Sequence, residues 1–479
     1  MITPKELVGL LPPTFDPDYI DGAVVPYLLS SQSVGERPAL PLIDLALSKE
    51  NAAPPHFWGM LYDGWAPNPE EGTAVFIQAY GQRGPDNERK KIYASATTPD
   101  LYASKYAGKV RRFLTQLFTD SNAGKPLMHQ YYADYFDLYW NLHLGVAGEA
   151  IPAEVRQIGA SFTAVLGHWF PTSEIVRENI MRVRELRKPL KEWIDGRVQA
   201  VIDGDVPDPD QTFVHYWLTN GGQGEHFRRR DIVFECFHNF LAFSQWGNML
   251  YQTMRVLDAN RGDPRVRSWF ARTMTDGPDA AQGGAFTPLD RFVMELFRTI
   301  SPNGGSLSTT QTVRGLDSRS GMVLTPHPAT CRDPRHWRNP EEFDPDRYRT
   351  AATSVDNDEA RSRAAGLARC PYTPARFPVH DGRRAELTNS AFGAVYGVVG
   401  DTAYPVCDTA GYAPFGFGYR RCGGEQLTVE FFKDLLRTVW AAGIEFITLD
   451  AEHPERLPVA PRAVIDDNLG FRRHRSEER

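Results

Sequence analysis

The sequence predicts a mainly α chain with a minor β region, and three observations carry that expectation. Apolar residues recur at helical spacing through most of residues 99–257. The stretch from Asp231 to Leu257 is apolar nearly all round, the mark of a helix buried on every side. Against these stands one compact strand candidate, Thr73-Ala74-Val75-Phe76-Ile77, bounded by glycine and proline.

Composition bounds the rest. The 479 residues are 42% hydrophobic and 12% aromatic, enough to bury a large core. Length alone suggests two or three domains, although large single-domain enzymes of this size exist. A formal net charge of −7 leaves no basic footprint for nucleic acid and no attraction to anionic membranes. The five cysteines (Cys236, Cys331, Cys370, Cys407, Cys422) are scattered and form no C-x-x-C pair, so they make neither a disulfide framework nor a zinc site. That usage fits a reducing cytoplasm. Met1 to Glu6 shows no charged-then-apolar signal pattern, and no apolar run reaches about 18 residues, so a cytoplasmic chain without a membrane anchor is expected.

Taken in order, residues 1–60 are proline-rich, with short apolar pieces that predict irregular entry structure and one or two short helices. Tyr102 to Phe118 predicts an amphipathic helix with basic Lys105, Lys109, Arg111 and Arg112 between its apolar positions. Those cations are either a solvated face or partners for an anionic group. Met128 to Val146 carries an aromatic stripe (Tyr131, Tyr135, Phe136, Tyr139, Trp140) that reads as core. Glu174 to Ile202 predicts one long charged amphipathic helix, or two. Within Asp231 to Leu257 the polar groups between 240 and 248 are Ser244, Gln245 and Asn248, all neutral; upstream, Glu235 and His238 stand three apart as an ordinary pair.

Leu289 to Ile300 predicts a helix holding Glu295-Leu296-Phe297-Arg298. Residues three apart share a helix face, so Glu295 and Arg298 can pair. Downstream runs Pro340-Glu341-Glu342-Phe343-Asp344-Pro345-Asp346-Arg347. A long stretch follows, about 349–409, polar at first and glycine-punctuated later, which predicts a surface insertion with a β-hairpin or partner-binding lobe. Then comes Pro414-Phe415-Gly416-Phe417-Gly418-Tyr419-Arg420-Arg421-Cys422-Gly423-Gly424, directly before an apolar helical run. Glycines there let backbone approach something flat and large. Two arginines and a helix N-terminus beside Cys422 favour thiolate over thiol. A buried cysteine in a tight turn is the plainer reading of a cysteine and two glycines alone.

The spacing Phe415-x-x-Gly418-x-Arg420-x-Cys422-x-Gly424 resembles the heme-binding loop of the cytochrome P-450 family. The Glu295-x-x-Arg298 pair and the 340–347 string occur in that family's order, firmly from about 230 to 445. The resemblance implies a single helical heme-thiolate domain over residues 1–479 around a buried heme b, with Cys422 as axial iron ligand. It implies that Phe415, Gly418 and Gly424 cradle the heme and that Arg420 pairs with a propionate. It implies the same role for a cation on the Tyr102–Phe118 helix, Arg112 above all. Arg347 would join Glu295 and Arg298 in a buried charged cluster. Asp231 to Leu257 would be the long helix crossing the heme face. Substrate, small and hydrophobic, would be chosen by loops near 62–105 and 160–185.

Beside Ser301 to Thr312, which replace the usual short proline turn and offer Thr309, Thr310 and Arg314 as heme-edge or substrate contacts, two departures from that family stand out. Its oxygen-activating members carry an acid–alcohol pair on the central helix, which supplies protons to iron-bound dioxygen; residues 240–248 have none. The region is loosely similar to the allene oxide synthase and hydroperoxide lyase branch, where the substrate brings its own O–O bond and an amide such as Gln245 or Asn248 orients it. A peroxide-using enzyme without a reductase is therefore expected. Alternatives are a conventional monooxygenase fed by an electron-transfer partner, and a non-catalytic heme-binding or gas-sensing protein. The second departure is length: Arg347 and Cys422 lie 75 residues apart, a few tens more than the family usually spans. A zinc or phosphate site at the Cys-Gly-Gly loop fails for want of a second thiol or a following Gly-Lys-Ser/Thr.

Overall fold

Among the described residues helices predominate, and strands appear only as antiparallel pairs. The computed structural model describes residues 88–156, 174–280, 286–300, 305–309, 312–313, 316–317, 322–326, 331–332, 337–349, 396–399, 402–405, 414–415, 422–450, 452–453, 455–460 and 463–474. The strand candidate at 73–77, the entry region 1–60 and both predicted substrate loops but for their ends lie outside the described residues. In chain order the α-helices of eight residues or more are α1 (Glu88–Ser95), α2 (Ala107–Leu117), α3 (Leu127–Leu144), α4 (Glu174–Asp203), α5 (Phe213–Asn220), α6 (Arg229–Leu257), α7 (Pro264–Thr275), α8 (Pro288–Thr299) and α9 (Glu425–Ala441). The strands are β1 (Gly305–Thr309), β2 (Thr312–Val313), β3 (Leu316–Asp317), β4 (Met322–Pro326), β5 (Tyr396–Val399), β6 (Thr402–Pro405), β7 (Ile444–Thr448), β8 (Glu455–Ala460), β9 (Ala463–Asp467) and β10 (Leu469–Arg473). They pair antiparallel as β1–β4, β2–β3, β5–β6, β7–β10 and β8–β9. Among the described residues no helix is long and apolar enough to cross a membrane.

The chain divides into two units, Met1–Ala53 with Arg265–Val429, and Pro54–Pro264 with Glu430–Arg479. In the second, α3 is core. Tyr131, Tyr135, Tyr139 and Trp140 are buried, and their rings meet edge-on or tilted. Helix α3 stops at Gly145, whose φ of 68° is the left-handed conformation glycine adopts without strain. The predicted helix from Tyr102 enters through a π-helical turn, Tyr102–Tyr106, before α2 begins. Helix α4 is one helix that runs through Pro189. Helix α6 is also one helix, and Ile232, Val233, Phe234, Phe237, Met249, Leu250 and Met254 on it are all buried. Trp246 of α6 stacks on Phe431 of α9 at 4.3 Å. At the end of α6 the fully buried Asp258 accepts backbone N–H groups of Asn260 and Arg261 and the hydroxyl of Thr448, which ties α6 to β7.

In the first unit, α8 opens with a capping box between Thr287 and Asp290, and Leu289, Phe292, Val293, Met294, Leu296 and Phe297 are wholly buried. Within the long stretch before the cysteine loop, β5 and β6 pair antiparallel from Tyr396 opposite Pro405 to Val399 opposite Thr402. The remainder of 349–409 beyond Arg349 lies outside the described residues.

One buried group sets a pH dependence. His143 of α3 lies face to face with Tyr139 at 4.1 Å and edge-on to Phe213 at 4.9 Å. Its Nδ1 is 2.9 Å from the Tyr139 carbonyl, so Nδ1 carries the proton of a neutral ring. Burial pushes its pKa down to about 3 from 6.5. The unfolded chain therefore binds a proton below pH 6.5 that the folded chain refuses until about pH 3, and stability falls across that window as pH falls. Between pH 6.5 and 5 this single group should remove about 2 kcal/mol. Urea unfolding of the parent and His143→Phe at both pH values should show the smaller loss in the variant; equal losses would rule the group out.

Candidate functional site

The site is built outward from Glu295 on α8. Both oxygens of this wholly buried carboxylate are saturated. Arg298 Nε donates to Oε2 and Arg298 Nη2 to Oε1, each at 2.8 Å, a bidentate pair one helical turn apart. Oε1 also accepts Arg347 Nε at 3.0 Å and the Asp344 backbone N–H at 2.9 Å. Oε2 also accepts the Tyr348 hydroxyl at 3.1 Å. The three residues Glu295, Arg298 and Arg347 thus meet in one cluster.

Arg298 is equally complete. Besides Glu295, its Nη1 donates to the carbonyls of Cys331 (3.0 Å) and Pro340 (2.7 Å), and its Nη2 donates to the carbonyl of Glu342 (2.8 Å). All five N–H groups of the guanidinium have acceptors. Burial pulls its pKa down, but the hydrogen bonds and charge of Glu295 more than reverse this, and the net shift is upward. Burial, then Glu295, raises the Tyr348 hydroxyl well above 10, so it stays a neutral donor. The Trp337 ring faces both guanidiniums, at 5.2 Å from Arg298 and 5.8 Å from Arg347. Tyr348 and Trp337 were not singled out from the sequence; their adjacency to the 340–347 string was the available signal.

The cluster reaches the cysteine loop through one aromatic contact. Phe297 of α8 meets Phe415 edge-on at 5.3 Å. Phe415 is buried, and its carbonyl accepts the Cys422 backbone N–H at 3.0 Å, closing the loop on itself. Two residues on, the Gly424 carbonyl accepts both the N–H and the hydroxyl of Thr428, so α9 starts directly after the loop. The Cys422 side chain is exposed, and a Cβ on Gly424 would meet its Sγ at 3.8 Å, ordinary contact distance. Gly418, Arg420 and the other residues 416–421 lie outside the described residues. Among the described residues no group of three or more His, Cys, Asp and Glu is placed to hold a metal ion.

The remaining candidates lie in the other unit. Ser244, Gln245 and Asn248 belong to α6, which is unbroken through 240–248, and 244 and 248 share a face one turn apart; their side chains lie outside the described ones. On α2, Lys109 donates to the carbonyls of Asn141 (2.9 Å) and Gln211 (2.8 Å), and burial brings its pKa down to about 8. Arg111 pairs with Asp434 of α9 at 3.1 Å. Lys105 donates to the Asp210 carbonyl at 2.7 Å, so three of the four cations of this segment are held by protein partners, and Arg112 is exposed.

No family model matches the chain, and no curated protein matches its sequence. Its likeness is to solved structures. It is similar to the retinoic acid-bound cyanobacterial CYP120A1, at 17% identity and a TM-score of 0.57, over 90% of this chain and 87% of that one. It is similar to a zebra fish cytochrome P450 with progesterone, at 13% identity and a TM-score of 0.60, over 94% and 100%. The heme domain of cytochrome P450DA gives 15% identity and 0.57, over 92% and 88%. These likenesses show the fold, which is that of the cytochromes P450.

Breaking a buried ion pair leaves an uncompensated charge and costs about 3–5 kcal/mol. Arg298→Ala, which also bares the Cys331 and Pro340 carbonyls, should lower the urea midpoint accordingly. Arg298→Lys should recover only part of the loss, because an ammonium has three donors where five are used. Arg347→Ala should cost less, since its side chain reaches solvent. An Arg298→Ala midpoint equal to the parent's would refute the assigned role of the cluster.

Proposed function

We propose that this chain is a heme-thiolate oxidoreductase of the cytochrome P450 kind, acting on a small hydrophobic organic substrate. The observation that carries the reading is the closed loop at the start of α9, where Cys422 is exposed while its backbone N–H is tied to Phe415. A single sulfur donor beside a helix N-terminus suits an axial ligand of heme iron and not a four-ligand zinc centre. Heme b bound there would supply O–O bond chemistry, which a thiolate ligand favours by donating electron density. In this reading Phe415, Gly418 and Gly424 form the cradle, Cys422 ligates the iron, and Arg420 and Arg112 are the cations for the propionates.

The oxidant is the finer part of the proposal. Helix α6 keeps an unbroken ladder from Arg229 to Leu257, and residues 240–248 hold no acid. No carboxyl group among residues 240–248 is on hand to protonate dioxygen. A peroxide or hydroperoxide brings the O–O bond ready-made, and the amide of Gln245 or Asn248 has the donors to orient it. Conventional oxygen chemistry with an electron-transfer partner is the alternative.

Cys422→Ser should leave a folded chain without the thiolate-ligated heme spectrum; a variant with unchanged ligation would remove the assignment. Heme-loaded parent mixed with a fatty-acid hydroperoxide, and separately with hydrogen peroxide, should turn over without reductant. Gln245→Ala or Asn248→Ala should slow that turnover at least tenfold with the spectrum intact. Turnover only with a reductase present would select the dioxygen route, and heme binding without turnover under any condition would select a sensor.

A further inference from the structure

An aromatic cluster joins α1, the π-helical turn before α2, α3, α5 and α6, and the functional reading leaves it unused. Trp217 of α5 has two near-parallel ring neighbours, Tyr93 of α1 at 5.4 Å and Phe227 at 5.7 Å. Phe213, also on α5, meets Trp217 at 6.1 Å. It meets Tyr106 edge-on at 4.5 Å and His143 of α3 edge-on at 4.9 Å. The Tyr93 hydroxyl donates to Asn239 Oδ1 of α6 at 3.0 Å. All of these residues belong to one unit.

Three side chains of this cluster carry buried donors with no hydrogen-bond partner among the described residues: the Tyr106 hydroxyl, Trp217 Nε1 and Asn239 Nδ2. The residues are 0%, 1% and 6% exposed. Neighbouring donors stand two contacts apart. Phe213 links Tyr106 to Trp217, and Tyr93 links Trp217 to Asn239. Buried polar groups in a fold are nearly always answered, because an unanswered one forfeits its bonds to water and gains nothing in return. The π-helical turn sharpens the contrast. Tyr102 at its start donates to Asp434 at 2.8 Å, while Tyr106 at its end has no acceptor among the described residues. Single π-turns of this kind are frequent at functional sites.

The lining selects what can answer them. Donors call for an acceptor, which excludes a cation. An anion is excluded because the nearby cations are committed. Lys109 is bound to the carbonyls of Asn141 and Gln211, and Arg89 faces Asp231 at 3.5 Å and Glu235 at 3.4 Å. His143 supplies no charge, since burial pushes its pKa down to about 3. Burial, then Tyr216, raises the Tyr106 hydroxyl well above 10, so it keeps its proton. We infer that this cluster is a binding site for a small neutral guest that offers oxygen lone pairs to Tyr106, Trp217 and Asn239. Ordered water and a short alcohol, ketone or amide share that chemistry. A buried water makes about three hydrogen bonds, a number these donors supply. Bound there, the guest completes the seam where α1, inside the stretch expected to select substrate, meets α5 and α6.

The test is Tyr106→Phe on the full chain, which removes one oxygen and keeps the ring. A hydroxyl bonded to a guest makes this variant less stable, with the unfolding constant raised about fivefold in urea titration. The second readout is the ultraviolet Raman marker of the indole N–H, isolated as the parent spectrum minus that of Trp217→Phe. It should sit at the hydrogen-bonded position. Should Trp217→Phe fail to fold, the Tyr106→Phe comparison decides alone. Two further measurements separate the sources. In oxygen-17 relaxation dispersion, a long-lived water that Tyr106→Phe loses identifies water as the guest. A small oxygen-bearing molecule released in stoichiometric amount on denaturation, and detected by mass spectrometry, identifies an organic one. Tyr106→Phe as stable as the parent or more so, a free indole N–H, or the finding of neither guest overturns the proposal. None of these readouts depends on heme, so the heme-thiolate reading stands or falls separately.

Discussion

The carboxylate of Glu295 is the point on which its unit depends. It is fully buried, where an ion survives only if every lone pair is answered. Five donors answer it, from Arg298, Arg347, Tyr348 and the backbone of Asp344. Arg298 in turn gathers the carbonyls of Cys331, Pro340 and Glu342, which no secondary structure would otherwise hold near α8. The result is a helix whose position is fixed from one side by charge and from the other by apolar burial. Phe297 on that helix then holds Phe415, and Phe415 holds the backbone of Cys422. The backbone of Cys422 is thus positioned by electrostatics several links away.

How much of this is legible in the sequence follows from the range of each interaction. The pairing of Glu295 with Arg298 is a matter of helical spacing, and the aromatic stripe of α3 declares itself as core by composition. The charge on α2 does not declare its partners: Lys109 reaches carbonyls 32 and 102 residues away, and Arg111 a carboxylate 323 residues away. Glu235 reads locally as a partner for His238, yet Arg89 stands 146 residues before it. Backbone carbonyls are the least legible of all, because the acceptors that complete Arg298 depend on chain path and not on side-chain type. The π-helical turn at Tyr102–Tyr106 likewise leaves no mark in the apolar spacing.

Helix α6 shows how one element carries incompatible demands. Its apolar residues bury it on nearly every side, and Trp246 locks it to α9. Polar side chains can be afforded only where a neighbour answers them, and α1 does so for Asp231, Glu235 and Asn239. From 240 to 248 the helix is neutral, and amides and a hydroxyl replace ionisable groups. Its carboxylates are confined to the first three turns, where the helix N-terminus favours them, and Arg255 stands in the last turn, where a cation is favoured.

The two anchors on α8 have an evolutionary consequence. Arg347 is bound to Glu295 and Phe415 to Phe297, so both ends of the long intervening stretch are pinned to the same helix two residues apart. A loop tethered in that way adds only about 0.6 kcal/mol of closure entropy for each doubling of its length. The segment between Arg347 and the cysteine can therefore lengthen, acquire a hairpin such as β5–β6, and diverge in sequence without displacing the sulfur. In this architecture that stretch can change while Arg347 and Phe415 keep their places on α8.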